Sequence, residues 1–310
     1  METTQMSQKT VVIYGAATMG QELVQAVATA GCEVILVDHS EEKLKKGLQK
    51  VEASLDAEIA RWGLTSGEKR AIMSRIKGST DIREAAKGWM VIETLKETLD
   101  VKRQLFKELD ATCKPTTIIA SNSATISITE IASECKYPER TIAMHFQSPI
   151  PKVPLVEISR GLKTSEETFE AAVRFAKMIN KTVVSVYDCP GFITTRIILP
   201  MINQAVKVLE EGIASCEQID TAMKLGFGLN AGPLTLADKI GIDTVVFYLE
   251  NLYKETFDQS YLPAKLLKKL VRAGYKGIKT GKGFYRYGND GLRLSDSGLK
   301  AEQLSQANHQ

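Results

Sequence analysis

The sequence predicts an α/β protein, a doubly wound sheet followed by an all-helical C-terminal domain, and three observations predict it. Short β-branched, apolar runs alternate with helix-compatible stretches over residues 10–187, the pattern of a parallel sheet covered by helices. The first of these runs opens a strand–helix–strand unit with a glycine turn. After Pro190-Gly191 the alternation stops, and five helical stretches follow with no convincing strand among them.

Thr10–Tyr14 ends in a glycine and reads as a buried strand. Residues 18–30 are helix-compatible and stop at Gly31. Glu33–Val37, closed by Asp38, is the second strand, so the βαβ unit spans about 30 residues, as such units do. Residues 41–62 and 66–77 are charged and amphipathic with a break at Gly63, a helical hairpin. Residues 89–93 form a strand, 100–109 a helix and 117–120 a strand, and Ser127-x-x-Glu130 is a capping box opening the next helix. Thr141–Phe146 and residues 153–158 are strands with Pro149, Pro151 and Pro154 about their connection. Residues 165–179 form a helix, and Thr182–Tyr187 is the last strand. Residues 193–211, 216–225, 233–240, 243–257 and 263–273 are the helices of the C-terminal domain. The pattern change divides the chain into 1–188 and 189–310, with a mobile polar tail after Leu294.

Bulk composition narrows the function classes. The 310 residues suit two ordinary domains. A formal net charge of +3 is too small to argue for nucleic acid, so a positive site for an anionic ligand has to be local. Residues 1–10 are polar and lack an apolar signal region. The most apolar later stretch, 193–212, holds Arg196, Pro200, Lys207 and Glu210 and does not suit a membrane span. Cys32, Cys113, Cys135, Cys189 and Cys216 are scattered and odd in number, which fits a reducing cytoplasm and argues against a disulfide framework or zinc site.

The turn after the first strand reads Gly15-Ala16-Ala17-Thr18-Met19-Gly20, a variant of the dinucleotide fingerprint GxGxxG in its proper strand–turn–helix setting. Gly15 supplies the tight turn and Gly20 close packing of helix on strand. Ala17 replaces the middle glycine, and its methyl crowds the approach to a pyrophosphate. The helix N-terminus at Thr18 and Met19 still offers N–H groups and a positive dipole end to phosphates. Asp38, 18 residues after Gly20, stands where an acid holds the adenosine ribose. It would repel a 2′-phosphate and no arginine follows it, which favours NAD over NADP. A plain βαβ unit with a glycine turn is the competing reading.

Of three histidines, His39 follows the ribose acid and His309 lies in the tail, leaving His145 as the proton carrier at the end of a strand. A satisfied core histidine competes evenly with that role. Glu157 is a single acid in the apolar run Val153-Pro154-Leu155-Val156-Glu157-Ile158, costly to bury without a partner. A carboxylate on one ring nitrogen fixes the tautomer and raises the basicity of the other. Glu157 reads equally well as a surface residue of an alternating strand.

These residues carry a resemblance. Over nearly its whole length the chain resembles the short, monofunctional L-3-hydroxyacyl-CoA (3-hydroxybutyryl-CoA) dehydrogenases. The matching stretches are Glu97 with Asp100-Val101-Lys102, Ala120-Ser121-Asn122, His145-Phe146, Leu155-Val156-Glu157, Pro190-Gly191-Phe192, residues 219–226, Gly232-Pro233-Leu234, and Lys279-Thr280-Gly281-x-Gly283-Phe284-Tyr285. The resemblance implies a Rossmann-type NAD domain and oxidoreduction at C3 of an acyl thioester. It makes His145 the general base and Glu157 its orienting acid. It places Glu97, Lys102 and Lys279 on the cofactor, Ser54 and Arg61 of the hairpin on CoA, and Ser121 with Ala124 at the substrate. It also implies a homodimer formed by the helical domain, whose apolar positions Ile197, Met201, Ala205 and Val208 need covering.

The chain departs from the family pattern at several polar positions. Ala124 stands where the family has a serine that contacts the substrate oxygen, Ser148 where it has an asparagine beside the nicotinamide, and Thr195 where it has an asparagine at the catalytic centre. Thr98 replaces another asparagine, after Glu97. One donor aimed at a developing oxyanion is worth roughly 2–4 kcal/mol. The expectation is therefore an NAD-dependent dehydrogenase of 3-hydroxyacyl thioesters, carried on CoA or on an acyl-carrier protein, with an atypical acyl group. The alternative is a weakly active or inactive nucleotide-binding homologue kept for binding or structure.

Overall fold

The structure is a computed structural model and describes residues 9–295, 298 and 299. The mobile tail expected after Leu294 falls almost wholly outside the described residues, as does His309. The chain divides into two compact units, Met1–Phe192 and Ile193–Gln310.

The first unit is built on eight strands: β1 Thr10–Tyr14, β2 Glu33–Val37, β3 Ile76–Ser79, β4 Met90–Glu93, β5 Ile118–Ser121, β6 Thr141–Phe146, β7 Leu155–Arg160 and β8 Thr182–Tyr187, in the order β3-β2-β1-β4-β5-β6-β7-β8. The order reverses direction at β1, the point where ligands bind outside the carboxyl ends of such sheets. Side-chain alternation sends Val11 and Ile13 to one core and Val12 and Tyr14 to the other, so both faces are covered, as continuous apolar strands require. The helices are α1 Thr18–Thr29, the hairpin α2 Glu41–Ala60 and α3 Ser66–Ser74, then α4 Leu99–Thr112, α5 Ile128–Ile131 and α6 Glu166–Met178.

Three expectations need correcting. The sheet is not parallel throughout: β6 and β7 pair antiparallel, with Ala143 opposite Ser159 and His145 opposite Glu157. The connection between them spans 147–154, too short for the crossover that parallel strands need. The helix expected over 66–77 ends at Ser74, and β3 follows, paired with β2 through Val34 and Ile76. A strand of four residues, with Lys77 and Gly78 exposed, carries no periodicity of its own to read. At Ser127 the cap is not the expected box. The Ser127 hydroxyl accepts from the Thr129 N–H and donates to Asp188, whose carboxylate also takes the Ile128 and Thr129 N–H groups.

The second unit packs five helices, α7 Thr194–Glu210, α8 Cys216–Phe227, α9 Pro233–Ile240, α10 Ile242–Thr256 and α11 Lys265–Arg272, around its own core. Beyond them the described residues form a short 3-10 helix, Ile278–Thr280, and isolated bridges. Of the apolar positions expected to need an outside partner, Ile197 is 62% exposed, but Ala205 is buried in this unit's own core and Val208 packs against it. Among the described residues no helix is long and apolar enough to cross a membrane, and no cluster could hold a metal ion.

Two buried aspartates tie the last described segment to the helices. Asp220 takes the Leu234 and Thr235 N–H groups and the Tyr285 hydroxyl. Asp238 takes the Phe284 and Tyr285 N–H groups and the Tyr287 hydroxyl. Burial pushes the Asp238 carboxyl up to about 6, against the pull of those donors. Stranding buried donors costs about 1–3 kcal/mol each. Asp238→Ala is therefore expected to lower stability by about 3 kcal/mol or more in urea denaturation, and a loss below about 1 kcal/mol would refute the clamp.

Candidate active site

The carboxyl end of β1 runs into a turn that only glycine can make at two places. Gly15 has φ +113, a left-handed value disfavoured for other residues. A Cβ on Gly20 would lie 1.8 Å from the Gly15 carbonyl oxygen. Ala17, extended, is the N-cap of α1 and supplies no side-chain cap, and no acid stands in the first turn. By contrast α2, α3, α6 and α8 are capped by Ser40, Thr65, Ser165 and Ser215. The N-termini of α4, α7, α10 and α11 also lack a side-chain cap, and α1 differs from them in following the glycine turn, where its first-turn amides suit an anion. Asp38, 3% exposed, closes the turn at the end of β2. Its carboxylate accepts from the Ala16 N–H at 2.9 Å and the Ser40 N–H at 3.0 Å, with His39 Nδ1 at 3.5 Å. Turn, uncapped helix and acid together fit a dinucleotide.

His145 and Glu157 face each other across the β6–β7 ladder, His145 Nδ1 2.9 Å from Glu157 Oε2. Glu157 is 1% exposed. The His145 ring stacks on Phe192, centroids 4.8 Å apart. With the Nδ1 proton donated to the carboxylate, Nε2 is the nitrogen available to a substrate. The connection 147–154 is held from two sides. Glu22 of α1 accepts from the Ser148 hydroxyl at 2.8 Å and the Ile150 N–H at 2.9 Å. Lys181 donates to the carbonyls of Ile150 and Val153.

At the ends of β4 and β5 a second buried group forms. Lys102 of α4, 1% exposed, lies 2.6 Å from Glu93 Oε1 and 3.4 Å from Glu97 Oε2. Glu93 also accepts from the Ser121 hydroxyl at 2.7 Å. Glu97 Oε1 receives the Ser123 hydroxyl and the N–H groups of Ala124 and Thr125. Burial raises the Glu97 carboxyl, but the Lys102 charge and these donors outweigh it and hold it below the usual carboxylate range. Burial likewise works against the Lys102 ammonium, and the two glutamates overcome it, leaving its pKa raised.

The first unit therefore gathers Gly15, Ala17, Thr18, Met19, Gly20 and Asp38 at the ends of β1 and β2. Glu97, Lys102, Ser121 and Ala124 gather at the ends of β4 and β5, and His145, Ser148 and Glu157 at β6 and β7. Ser54 and Arg61 are exposed on the hairpin. Thr195 and Lys279 belong to the second unit, Thr195 9% exposed in the first turn of α7 and Lys279 ion-paired with Asp243. Glu93, Glu22, Lys181 and Phe192 were not singled out from the sequence. Glu93 carried a signal, an acid closing an apolar strand, which is the argument already applied to Glu157. Phe192 lay in the matching stretch Pro190-Gly191-Phe192 without a role assigned to it, and Glu22 and Lys181 gave no signal, because their partners depend on the tertiary fold.

The family model for the 3-hydroxyacyl-CoA dehydrogenase NAD binding domain matches residues 10–189. That for the 3-hydroxyacyl-CoA dehydrogenase C-terminal domain matches 191–287. A probable 3-hydroxybutyryl-CoA dehydrogenase of Bacillus subtilis is 42% identical over 91% of this chain and 98% of its own length. The crystal structure of (S)-3-hydroxybutyryl-CoA dehydrogenase PaaH1 from Ralstonia eutropha is 44% identical, with a TM-score of 0.84 over 91% of this chain and 100% of that one. FadB2 of M. tuberculosis is 32% identical, with a TM-score of 0.88 over 91% of this chain and 99% of that one.

The geometry makes His145 and Glu157 one unit. His145→Ala is expected to remove nearly all turnover. Glu157→Gln keeps the shape and loses the charge, and is expected to lower kcat by ~10²-fold or more, within the usual worth of general-base catalysis, with cofactor affinity little changed. Steady-state kinetics beside a cofactor titration check both, and near-normal turnover by His145→Ala would defeat the assignment.

Proposed function

Since the chain belongs to the 3-hydroxyacyl-CoA dehydrogenase family and carries its NAD-binding domain, we propose that it interconverts a short 3-hydroxyacyl thioester and its 3-oxoacyl partner. The observation that carries this reading is the buried His145–Glu157 pair on adjacent strands, 2.9 Å apart. NAD, when bound, supplies the hydride acceptor in one direction and, as NADH, the donor in the other. In oxidation, the proton of the C3 hydroxyl passes to His145 Nε2 as hydride leaves C3. Glu157, on Nδ1, stabilises the imidazolium and holds the ring in place. In reduction His145 returns the proton to the C3 oxygen. Gly15, Gly20 and the first-turn amides at Thr18 and Met19 would hold the pyrophosphate, and Asp38 the ribose.

The names of the relatives support an acyl group of about the size of hydroxybutyryl, with CoA as carrier. Ala124 is the point of tension, since a hydroxyl that the family aims at the substrate oxygen is a methyl here. Homodimerisation through the second unit belongs to the same proposal, supported by Ile197, Leu225 and Phe227, which are 62%, 83% and 75% exposed.

NADH oxidation with acetoacetyl-CoA tests the reaction, and no turnover with it or with longer 3-oxoacyl thioesters would overturn the reading. Ala124→Ser then separates two histories. In a site that has merely lost a donor, the serine raises activity on acetoacetyl-CoA, by up to the roughly 2–4 kcal/mol of one oxyanion contact. In a pocket rebuilt around another acyl group, it helps little or slows the native reaction. Sedimentation equilibrium checks the dimer, which a monomer at micromolar concentration would refute.

A further inference from the structure

The turn that follows β8 carries a bulky residue where the backbone favours a small one. Phe192 has φ +49, directly after Gly191 at φ +92. L-residues enter this left-handed region at a cost, and glycine or asparagine is the usual choice for it. The turn is anchored nonetheless. Asp188 accepts from the hydroxyls of Ser127 and Thr129 and from the Thr129 N–H, and the Phe192 N–H closes on the Cys189 carbonyl at 3.4 Å. The phenyl ring, 3% exposed, belongs to the core cluster that holds Ala143, Ile128 and Ile131. Backbone strain that the surroundings hold in place points to a use for the side chain.

That use is visible at β6. Ala143 and His145 share one face of the strand, two residues apart. The His145 imidazole lies on the Phe192 ring, with centroids 4.8 Å apart and planes inclined by 28°. Glu157 holds the imidazole at one point, Nδ1. The torsion that tilts a histidine ring lies in a broad well, so one hydrogen bond leaves the plane free to swing about Nδ1. That swing displaces Nε2, the nitrogen offered to the substrate. A flat ring against one side of the imidazole removes it. A leucine would fill the same core and present no flat face.

We propose that Phe192 is a positioning residue: its ring closes one face of the His145 imidazole, and ring and Glu157 carboxylate together aim Nε2 at the reacting hydroxyl. The proposal rests on the reaction assigned above and deepens it by adding the second of two constraints on the base. It also accounts for the left-handed backbone, which delivers the ring to the imidazole from a turn.

The test uses the full chain and separates aim from packing. Phe192→Leu is expected to lower kcat about tenfold with acetoacetyl-CoA, because small misplacements of a reacting group are costly. KM and NADH affinity are expected to stay within about twofold, since Phe192 touches neither ligand in the arrangement proposed. Phe192→Tyr keeps the ring and is expected to recover most of the loss. An unchanged kcat in Phe192→Leu, or a loss that Phe192→Tyr does not recover, would overturn the proposal. A second readout needs neither turnover nor a variant at 192. The chain has three histidines, so their ring protons are few in the proton NMR spectrum, and His145→Gln assigns those of His145. A stacked imidazole is expected to resonate upfield of the exposed His39, and to move back towards it in Phe192→Leu. Resonances of His145 without that upfield shift defeat the stacking whatever the kinetics. A shifted resonance in a chain that reduces no 3-oxoacyl thioester would instead sink the assigned reaction and leave the stacking standing.

Discussion

The antiparallel pairing of β6 with β7 is the constraint on which the site turns. In a parallel pair, residues 12 apart in sequence could not stand opposite each other, because the crossover alone is about that long. Reversal through a short connection puts Glu157 directly across from His145 and lets a carboxylate that is 1% exposed find its partner. Burying that acid alone would cost several kcal/mol, and the imidazole offsets much of it. The same contact fixes the strand register, since a slip of β7 by one residue would turn Glu157 to the face opposite His145. The grip on the connection by Glu22 and Lys181 then sets where the strands end. The pair proposed for catalysis is therefore also a structural pair, and its geometry is made by strands rather than loops.

The cluster of Glu93, Glu97 and Lys102 has the corresponding role at the ends of β4 and β5. Two acids share one ammonium in a place almost free of water, which is tolerable only because other donors take up the remaining carboxylate oxygens. Ser121 does so for Glu93, and the turn 123–125 does so for Glu97. The charge compensation thereby shapes the segment at the end of β5. The resemblance to the family placed Glu97 and Lys102 on the cofactor. Their contacts within the chain make them the scaffold of the neighbouring turn.

Much of this was legible in the sequence, and the boundary of legibility is physical. The alternation of apolar runs and helices exposed the doubly wound sheet because both faces of each strand are buried, so the runs are continuous. The glycine turn was legible because Gly15 and Gly20 answer to local sterics. The weighing of His145 against a core histidine, and of Glu157 against a surface one, could not be settled by spacing, because their contact is cross-strand and the direction of β7 was not written in either run. β3 escaped notice because four half-exposed residues after a helix carry no period. The Ser127 cap failed for a related reason. Its partner Asp188 lies 61 residues away, and a distant carboxylate outcompeted the local pattern. Glu22 and Lys181 act on backbone groups of a loop that no local signal connects to them.

The departures from the family pattern follow from how the site is held. Glu97 grips the turn through the backbone N–H groups of Ala124 and Thr125 and the Ser123 hydroxyl. None of these depends on the side chain at 124. The hold on the turn is therefore the same whether alanine or serine stands at 124. Ser148 shows the complementary case, because its hydroxyl is engaged by Glu22 and helps to fix the connection between β6 and β7. Position 124 is thus free to vary in chemistry, whereas position 148 is tied to geometry. The His145–Glu157 pair meanwhile stays where the two strands put it.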